Sequence, residues 1–481
     1  MSVNKSIIHK GRSVLVKAAW LWLVGGTLLA CGCNKIVQVA EPVNTITTSE
    51  TFSNDGNATS AVIGIYNDIL SGDYQNFDYG NGLTTFYAGL SADELQYFNV
   101  TGSEQAQLQY NDINSSIMSL DYFWAPAYYD IYMSNAAIEG LTGSTTITPA
   151  LKTELLGEAK FFRAFAHFYL LNLFGNIPVV TTTAWENTAD LPQATSAQVY
   201  AQIVADLRDA QNLLASDYSY SNGERTRVNK SAATALLARV YLYQSNWVGA
   251  DSAASAVLNQ PLYTLCNNLD SVFLANNTEA IWQLVPNAIS QFATREGYMN
   301  IPYPPNSGNP NYYLTPYLLN AFDSGDLRKT AWLDSTNYAG TVYYYPYKYK
   351  VQTSVAGTVP EYYTILRMAE QYLIRAEARA NENNGGNAAI TDLNVIRMRA
   401  GLPAYAGASD LTSVLNAIMH ERQIELFAEW GHRWFDLKRW GNATSVLSVT
   451  KGNPVPTYQL LWPIPLSELT VDPNLNQNPQ Y

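Results

Sequence analysis

Cysteine is scarce. The 481 residues include three, Cys31, Cys33 and Cys266, so neither a disulfide framework nor a cysteine-based zinc site can be assembled. Histidine is almost as rare: among His9, His167, His420 and His432 no pair has the spacing of an HExxH helix, and the segment around His167 has no second ligand nearby, so no metal site is expected. No G-x-S-x-G elbow, Walker loop or dinucleotide fingerprint occurs. Charged residues make up only 14% of the chain, and acidic ones outnumber basic ones 40 to 28, for a net charge of −12. That deficit of basic residues argues against nucleic acid and anionic lipid headgroups as partners. What is abundant is apolar and aromatic: 47% hydrophobic residues, with 34 Tyr and 11 Trp. That is enough for a large core without disulfides, and it supplies flat rings with polar edges for ligand stacking.

The N-terminus differs from the rest. Lys5, Lys10, Arg12 and Lys17 precede the uncharged, mostly apolar stretch Ala18 to Ala30 (AAWLWLVGGTLLA). This is too short for a permanent bilayer span and reads as the apolar region of a secretory signal covering residues 1 to 30. Leu28-Leu29-Ala30-Cys31 resembles a lipobox, which makes Cys31 the expected acylated residue and Cys33, preceded by Gly32, the alternative. Without residues 1 to 30, which hold four basic and no acidic residues, the charge falls from −12 to −16. Residues 31 to 60, polar and containing Pro42, are expected to be anchor and tether.

Helical spacing then recurs. In residues 155 to 174 Phe162, Phe165, Tyr169 and Leu173 form one apolar stripe, closed by Gly175 and Pro178. Residues 199 to 214, 231 to 244, 365 to 383, 389 to 400 and 411 to 430 repeat the pattern. Between them residues 261 to 360 crowd Pro, Gly, Asn and Tyr together. The expectation is a mainly α protein. One compact unit of residues 61 to 481 would comprise helical parts at 61 to 260 and 361 to 481, with a loop-rich insertion at 261 to 360 carrying a few short strands.

Six segments in order, EAKFFRAFAHFYLLNLFGNIPVV, KSAATALLARVYLYQSNW, RMAEQYLIRAEARA, LNVIRMRAGLP, ERQIELFAEWGHRWFDLKRWG and the C-terminal PIP with DPNLNQNPQY, resemble the signatures of the SusD/RagB family. The resemblance covers nearly the whole chain after Cys33. It implies tetratricopeptide-like helical hairpins and a surface-exposed outer-membrane lipoprotein with no cofactor. It also implies a SusC-like TonB-dependent transporter as partner and an oligosaccharide as ligand, with a peptide as the alternative.

Two sets of residues compete for the functional role. Glu421 and Glu425 lie one helical turn apart, followed by Glu429, His432 and Asp436, and paired carboxylates can serve as acid and base in a lipoprotein glycoside hydrolase. Arg422, Arg433, Lys438 and Arg439 are interleaved with them, so charge pairing within the scaffold is the simpler reading and no catalytic residue is assigned. Trp430, Trp434 and Trp440 read as core. Asp93 and Glu94 read as helix-start acids with Ser91 as N-cap. Aromatics without helical spacing, among Asn, Gly and Pro, are the binding candidates: Tyr74, Tyr79, Tyr97, Phe98, Tyr303, Tyr312 and Tyr313. In TVYYYPYKYK the alternation predicts a strand with Tyr343, Tyr345, Tyr347 and Tyr349 on one face. Pro346 would make it an edge strand, and Lys348 and Lys350 would face solvent.

Overall fold

The computed structural model describes residues 48–70, 79–287, 291–383 and 385–481. The expected signal, Cys31, Cys33 and Tyr74 lie outside the described residues. Among these, twelve helices have eight residues or more: α1 (Asp55–Asp68), α2 (Thr84–Ser91), α3 (Asp121–Gly143), α4 (Pro149–Phe174), α5 (Ser196–Leu213), α6 (Lys230–Tyr243), α7 (Trp247–Leu258), α8 (Met368–Glu382), α9 (Gly386–Arg399), α10 (Leu411–Glu425), α11 (His432–Arg439) and α12 (Ala443–Lys451).

Local chemistry sets their ends. α4 begins with Pro149 in its first turn and stops at Gly175, whose φ of 81° a side chain would resist. Thr195 and Gln198 close a reciprocal capping box on α5. Asn229 caps α6 by accepting from Ala232 N at 3.0 Å, and Asp410 caps α10 through Ser413 N at 3.1 Å. Burial then orders the helices. α4 packs between α3 and α5, α6 follows on α5, α7 on α6, α8 on α7, and α9 and α10 both pack on α8. The insertion therefore leaves after α7 and returns at α8 without separating those two helices. The stripe on α4 meets the insertion directly: Phe161, Phe162 and Phe165 surround Trp282, with ring centroids 5.2, 5.7 and 5.4 Å away.

Among the described residues six strands pair two by two, all antiparallel. β1 (Leu95–Tyr97) pairs with β3 (Tyr312–Leu314), β2 (Ala280–Leu284) with β6 (Tyr363–Arg367), and β4 (Leu333–Tyr338) with β5 (Thr341–Pro346).

Several expectations are corrected. Residues 48–481 form one compact unit, so the fold begins inside the stretch read as tether. Phe52 and Ala58 are buried there, and Asn54 caps α1. The helix expected at 365 to 383 starts at Met368, because Tyr363–Arg367 is a strand buried along its whole length. A short continuous apolar run has no period to tell strand from helix. The helix expected at 411 to 430 ends at Glu425: Ala428, Trp430 and Gly431 have φ of 50°, 47° and 74°. Side chains accept from the buried N–H groups this frees, Glu94 from Ala428 N at 3.4 Å and Thr85 from Trp430 N at 3.2 Å. β5 ends at Pro346, so Tyr347 and Tyr349, expected on its face, lie beyond it; within the strand Tyr345 is buried and Val342 and Tyr344 are exposed. Lys348, however, does not face solvent. It is 4% exposed and its ammonium lies 4.1 Å from the Phe427 ring centroid, paired with Glu429 at 2.5 Å.

Candidate functional site

The carboxylates of α10 lie inside the protein. Glu425 is fully buried and meets three guanidinium groups: Arg328 at 2.9 Å, Arg367 at 2.6 Å and Arg399. Glu421 pairs with Arg328 at 2.7 Å and Arg397 at 3.3 Å, and Glu429 with Arg367 at 2.8 Å and with Lys348. Burial alone would raise the Glu425 pKa, but Arg399, Arg367 and Arg328 outweigh it and hold the carboxyl far below its ordinary range. A carboxylate so held cannot donate a proton near neutrality. Of the interleaved cations, Arg422 and Arg439 hold Asp436 of the same segment, while Arg433 holds Asp93. Trp430 and Trp434 are buried. Among the described residues no group of three or more His, Cys, Asp or Glu side chains could hold a metal ion.

Asp93 and Glu94 follow α2 instead of starting a helix, and Ser91 is that helix's last residue. Asp93 accepts a bidentate pair of bonds from Arg433 at 2.8 and 2.8 Å. Glu94 is 2% exposed, and burial, with repulsion from Asp93, pushes its carboxyl up to about 8. The folded state then keeps a proton that the unfolded chain releases. Stability is unaffected by Glu94 below the unfolded value near 4.5 and falls as pH rises from there toward 8. Glu94→Gln is therefore expected to stabilise the protein by on the order of 2 kcal/mol at neutral pH and to change nothing at pH 4. Melting curves of both proteins across this range check the sign, and a variant that melts no higher at pH 8 would show Glu94 to be ionised in the fold.

The aromatic candidates divide by burial. Tyr79 and Tyr312 are each 1% exposed, which corrects their assignment as ligand contacts. The Tyr79 hydroxyl donates to Asp130 at 2.5 Å, and Tyr312 stacks on Phe86 with centroids 4.3 Å apart. Alternation on the β1–β3 ladder explains this. Leu95, Tyr97, Tyr312 and Leu314 turn to the core side, with Tyr97 half-buried 5.2 Å from the Tyr312 ring. Gln96 and Tyr313, paired across the ladder, turn outward.

Tyr313 meets Tyr343 edge to face at 5.1 Å, Phe98 meets Tyr343 at 5.5 Å, and Phe98 meets Tyr338 at 5.6 Å. These four rings form a shelf built from the turn after β1, from β3 and from the β4–β5 hairpin. The loop carrying Tyr303 is tied to that hairpin by Asn337 N donating to Asn306 O at 3.1 Å and Thr336 Oγ1 to Gly308 O at 2.8 Å. Tyr303 itself is 77% exposed. On the outward side of the ladder, Gln96 also lines a cleft of about 430 Å³ with Gln109, Tyr110, Tyr317, Asn320 and Lys451. Such a mixture of rings and amides suits a saccharide, whose CH faces stack on rings while its hydroxyls bond to amides. The cleft residues were not anticipated from the sequence. They come from four distant segments, and nothing in their local patterns marks them as neighbours.

A family model described as "SusD family" matches residues 327–481, and one described as "Starch-binding associating with outer membrane" matches residues 58–242. A SusD-like protein of Formosa agariphila is 26% identical over 495 residues, spanning 89% of this chain and 92% of its own length. A solved laminarin-binding SusD-like protein superposes with a TM-score of 0.74 at 24% identity, covering 89% of this chain and all of its own. Surface glycan-binding protein A from Bacteroides uniformis gives 0.76 at 22% identity, covering 88% of this chain and 99% of its own. The solved structures establish a shared fold, and with family models matching both the N-terminal helices and the C-terminal region, the chain belongs to the SusD/RagB family.

Proposed function

We propose that this protein is a non-catalytic lipoprotein of the outer membrane that captures an oligosaccharide at the cell surface and hands it to a SusC-like TonB-dependent transporter. The observation that carries the reading is the shelf of Phe98, Tyr313, Tyr338 and Tyr343 beside the amide-lined cleft. The printed names of similar proteins, starch-binding, laminarin-binding and glycan-binding, support a saccharide over a peptide. The hydrolase alternative loses its support, since Glu421 and Glu425 are engaged by arginines in the interior.

Calorimetric titration of the protein with a panel of oligosaccharides and peptides, with product analysis of each mixture, tests this. Binding of a glycan without cleavage is expected, and release of reducing ends would make the protein an enzyme instead. Tyr303→Ala and Tyr313→Ala are each expected to cost about 0.5 to 1.5 kcal/mol beyond lost area, roughly two- to tenfold in Kd, with little change in melting temperature. Unchanged affinity in both variants would move the site away from the shelf. For the anchor, labelling cells with a fatty-acid analogue is expected to mark the protein, and Cys31→Ser to remove the label and release soluble protein. Label that persists would assign acylation to Cys33.

A further inference from the structure

A second cleft, of about 410 Å³, lies where the end of α4, the start of α5, α11 and the C-terminal tail meet. That volume is within the range of small-molecule sites, about 300 to 1,000 Å³. Its walls are aromatic: Tyr200, Tyr243 and Phe435. Amides of Asn172 and Asn176 border it, and the Lys438 ammonium lines it.

Lys438 is the unusual member. Its Nζ donates to the backbone carbonyl of Asn172 and lies 5.4 Å from the Trp434 ring and 5.9 Å from the Phe435 ring. No carboxylate among the described residues pairs with it. The neighbouring Arg439, by contrast, is fully engaged by Glu377 and Asp436. One carbonyl satisfies one of three ammonium donors, and the side chain is half-buried, which leaves the cation little water and no counter-charge. Burial alone pushes the Lys438 pKa down to about 7. Nearby, the Tyr243 hydroxyl makes no hydrogen bond.

We propose that this cleft is a saccharide subsite separate from the aromatic shelf, and that it selects a sugar bearing one anionic group, a carboxylate or a sulfate ester, by pairing that group with Lys438. The ring of such a sugar stacks on tyrosine, its hydroxyls reach the Asn176 amide nitrogen, since Asn172 already donates to Phe168 O and accepts from Tyr200, and its charge supplies the missing counter-ion. A single unpaired ammonium matches a single negative charge better than a phosphate monoester, which carries more at neutral pH. The protein's own charge of −12 repels anions at a distance, so recognition must be this local.

Full-length protein in detergent is titrated with trigalacturonate, sulfated galactotriose, neutral galactotriose and an acidic tripeptide, triaspartate. At least one anionic sugar is expected to bind at least tenfold more tightly than galactotriose, and which of the two does so identifies the anionic group. Lys438→Met is expected to weaken that binding at least tenfold. Asn176→Asp is a second variant at an exposed rim position. It keeps the acceptor that Asn176 Oδ1 offers Ser196 N at 3.1 Å while adding a negative charge, and it is expected to weaken anionic sugars more than galactotriose. Tyr303→Ala is expected to leave this binding intact, which separates the two sites. The proposal is overturned if neither anionic sugar binds, if galactotriose or triaspartate binds as well, if folded Lys438→Met and Asn176→Asp proteins both keep full affinity, or if Tyr303→Ala abolishes binding of the anionic sugar.

Discussion

Glu425→Gln is expected to destabilise the protein by about 3 to 5 kcal/mol while leaving glycan affinity unchanged. The side chain is fully buried, and the glutamine is close to it in shape, so the cost is electrostatic. Arg328, Arg367, Arg397, Arg399 and Lys348 face the buried carboxylates of Asp326, Glu279, Glu421, Glu425 and Glu429 in one connected network, which Arg397 extends to the exposed Asp323 at its edge. Removing one negative charge leaves a surplus cation with nowhere to find water. Unfolding entropy near 2.1 cal/mol/K per residue makes this a fall of roughly 3 to 5 °C in melting temperature for a unit of this length. The sign with pH follows from the depressed pKa. The contribution of Glu425 is present above the unfolded value near 4.5 and is lost as pH falls toward the folded one, so parent and variant converge in acid. Thermal melts and titration of the same variant check both halves. A Glu425→Gln protein that melts like the parent but no longer binds glycan would place the site in the charged segment.

Phe165→Ala is expected to cost about 3 to 5 kcal/mol, the range for removing a fully enclosed aromatic ring. Phe165 has no exposed surface and lies 4.9 Å from Tyr169, 5.4 Å from Trp282 and 5.7 Å from Trp430. These partners belong to α4, to the insertion and to the turn after α10. The cavity therefore opens where three parts of the chain meet, with no single element free to collapse into it. Denaturant unfolding monitored by Trp fluorescence measures the loss. A change below about 1 kcal/mol would mean that the α4 stripe faces something softer than this aromatic cluster.

Much of the helical scaffold was legible from residue order, because helices are written locally. The stripe Phe162, Phe165, Tyr169 and Leu173 and its stop at Gly175 act within a few residues of themselves. The order of six signatures is likewise linear information, as is the scarcity of Cys and His. The candidate aromatics were harder to sort. Tyr303 is exposed and Tyr313 half-buried, but Tyr79 and Tyr312, drawn from the same kind of loop sequence, are interior.

What tertiary structure alone decided is which partner each polar or aromatic group meets. Glu425 sits among basic residues of its own segment, yet its three arginines lie 97, 58 and 26 residues away. Lys348 read as solvent-facing from an alternating strand, but Phe427, Trp332 and Glu429 enclose it. Tyr312 and Tyr313 are chemically identical neighbours, and pleating on a three-residue ladder sends one to the core and the other to the shelf. Period and capping depend on the nearest few residues and survive in one dimension. Burial and charge pairing are properties of surfaces that exist only once distant segments are packed together.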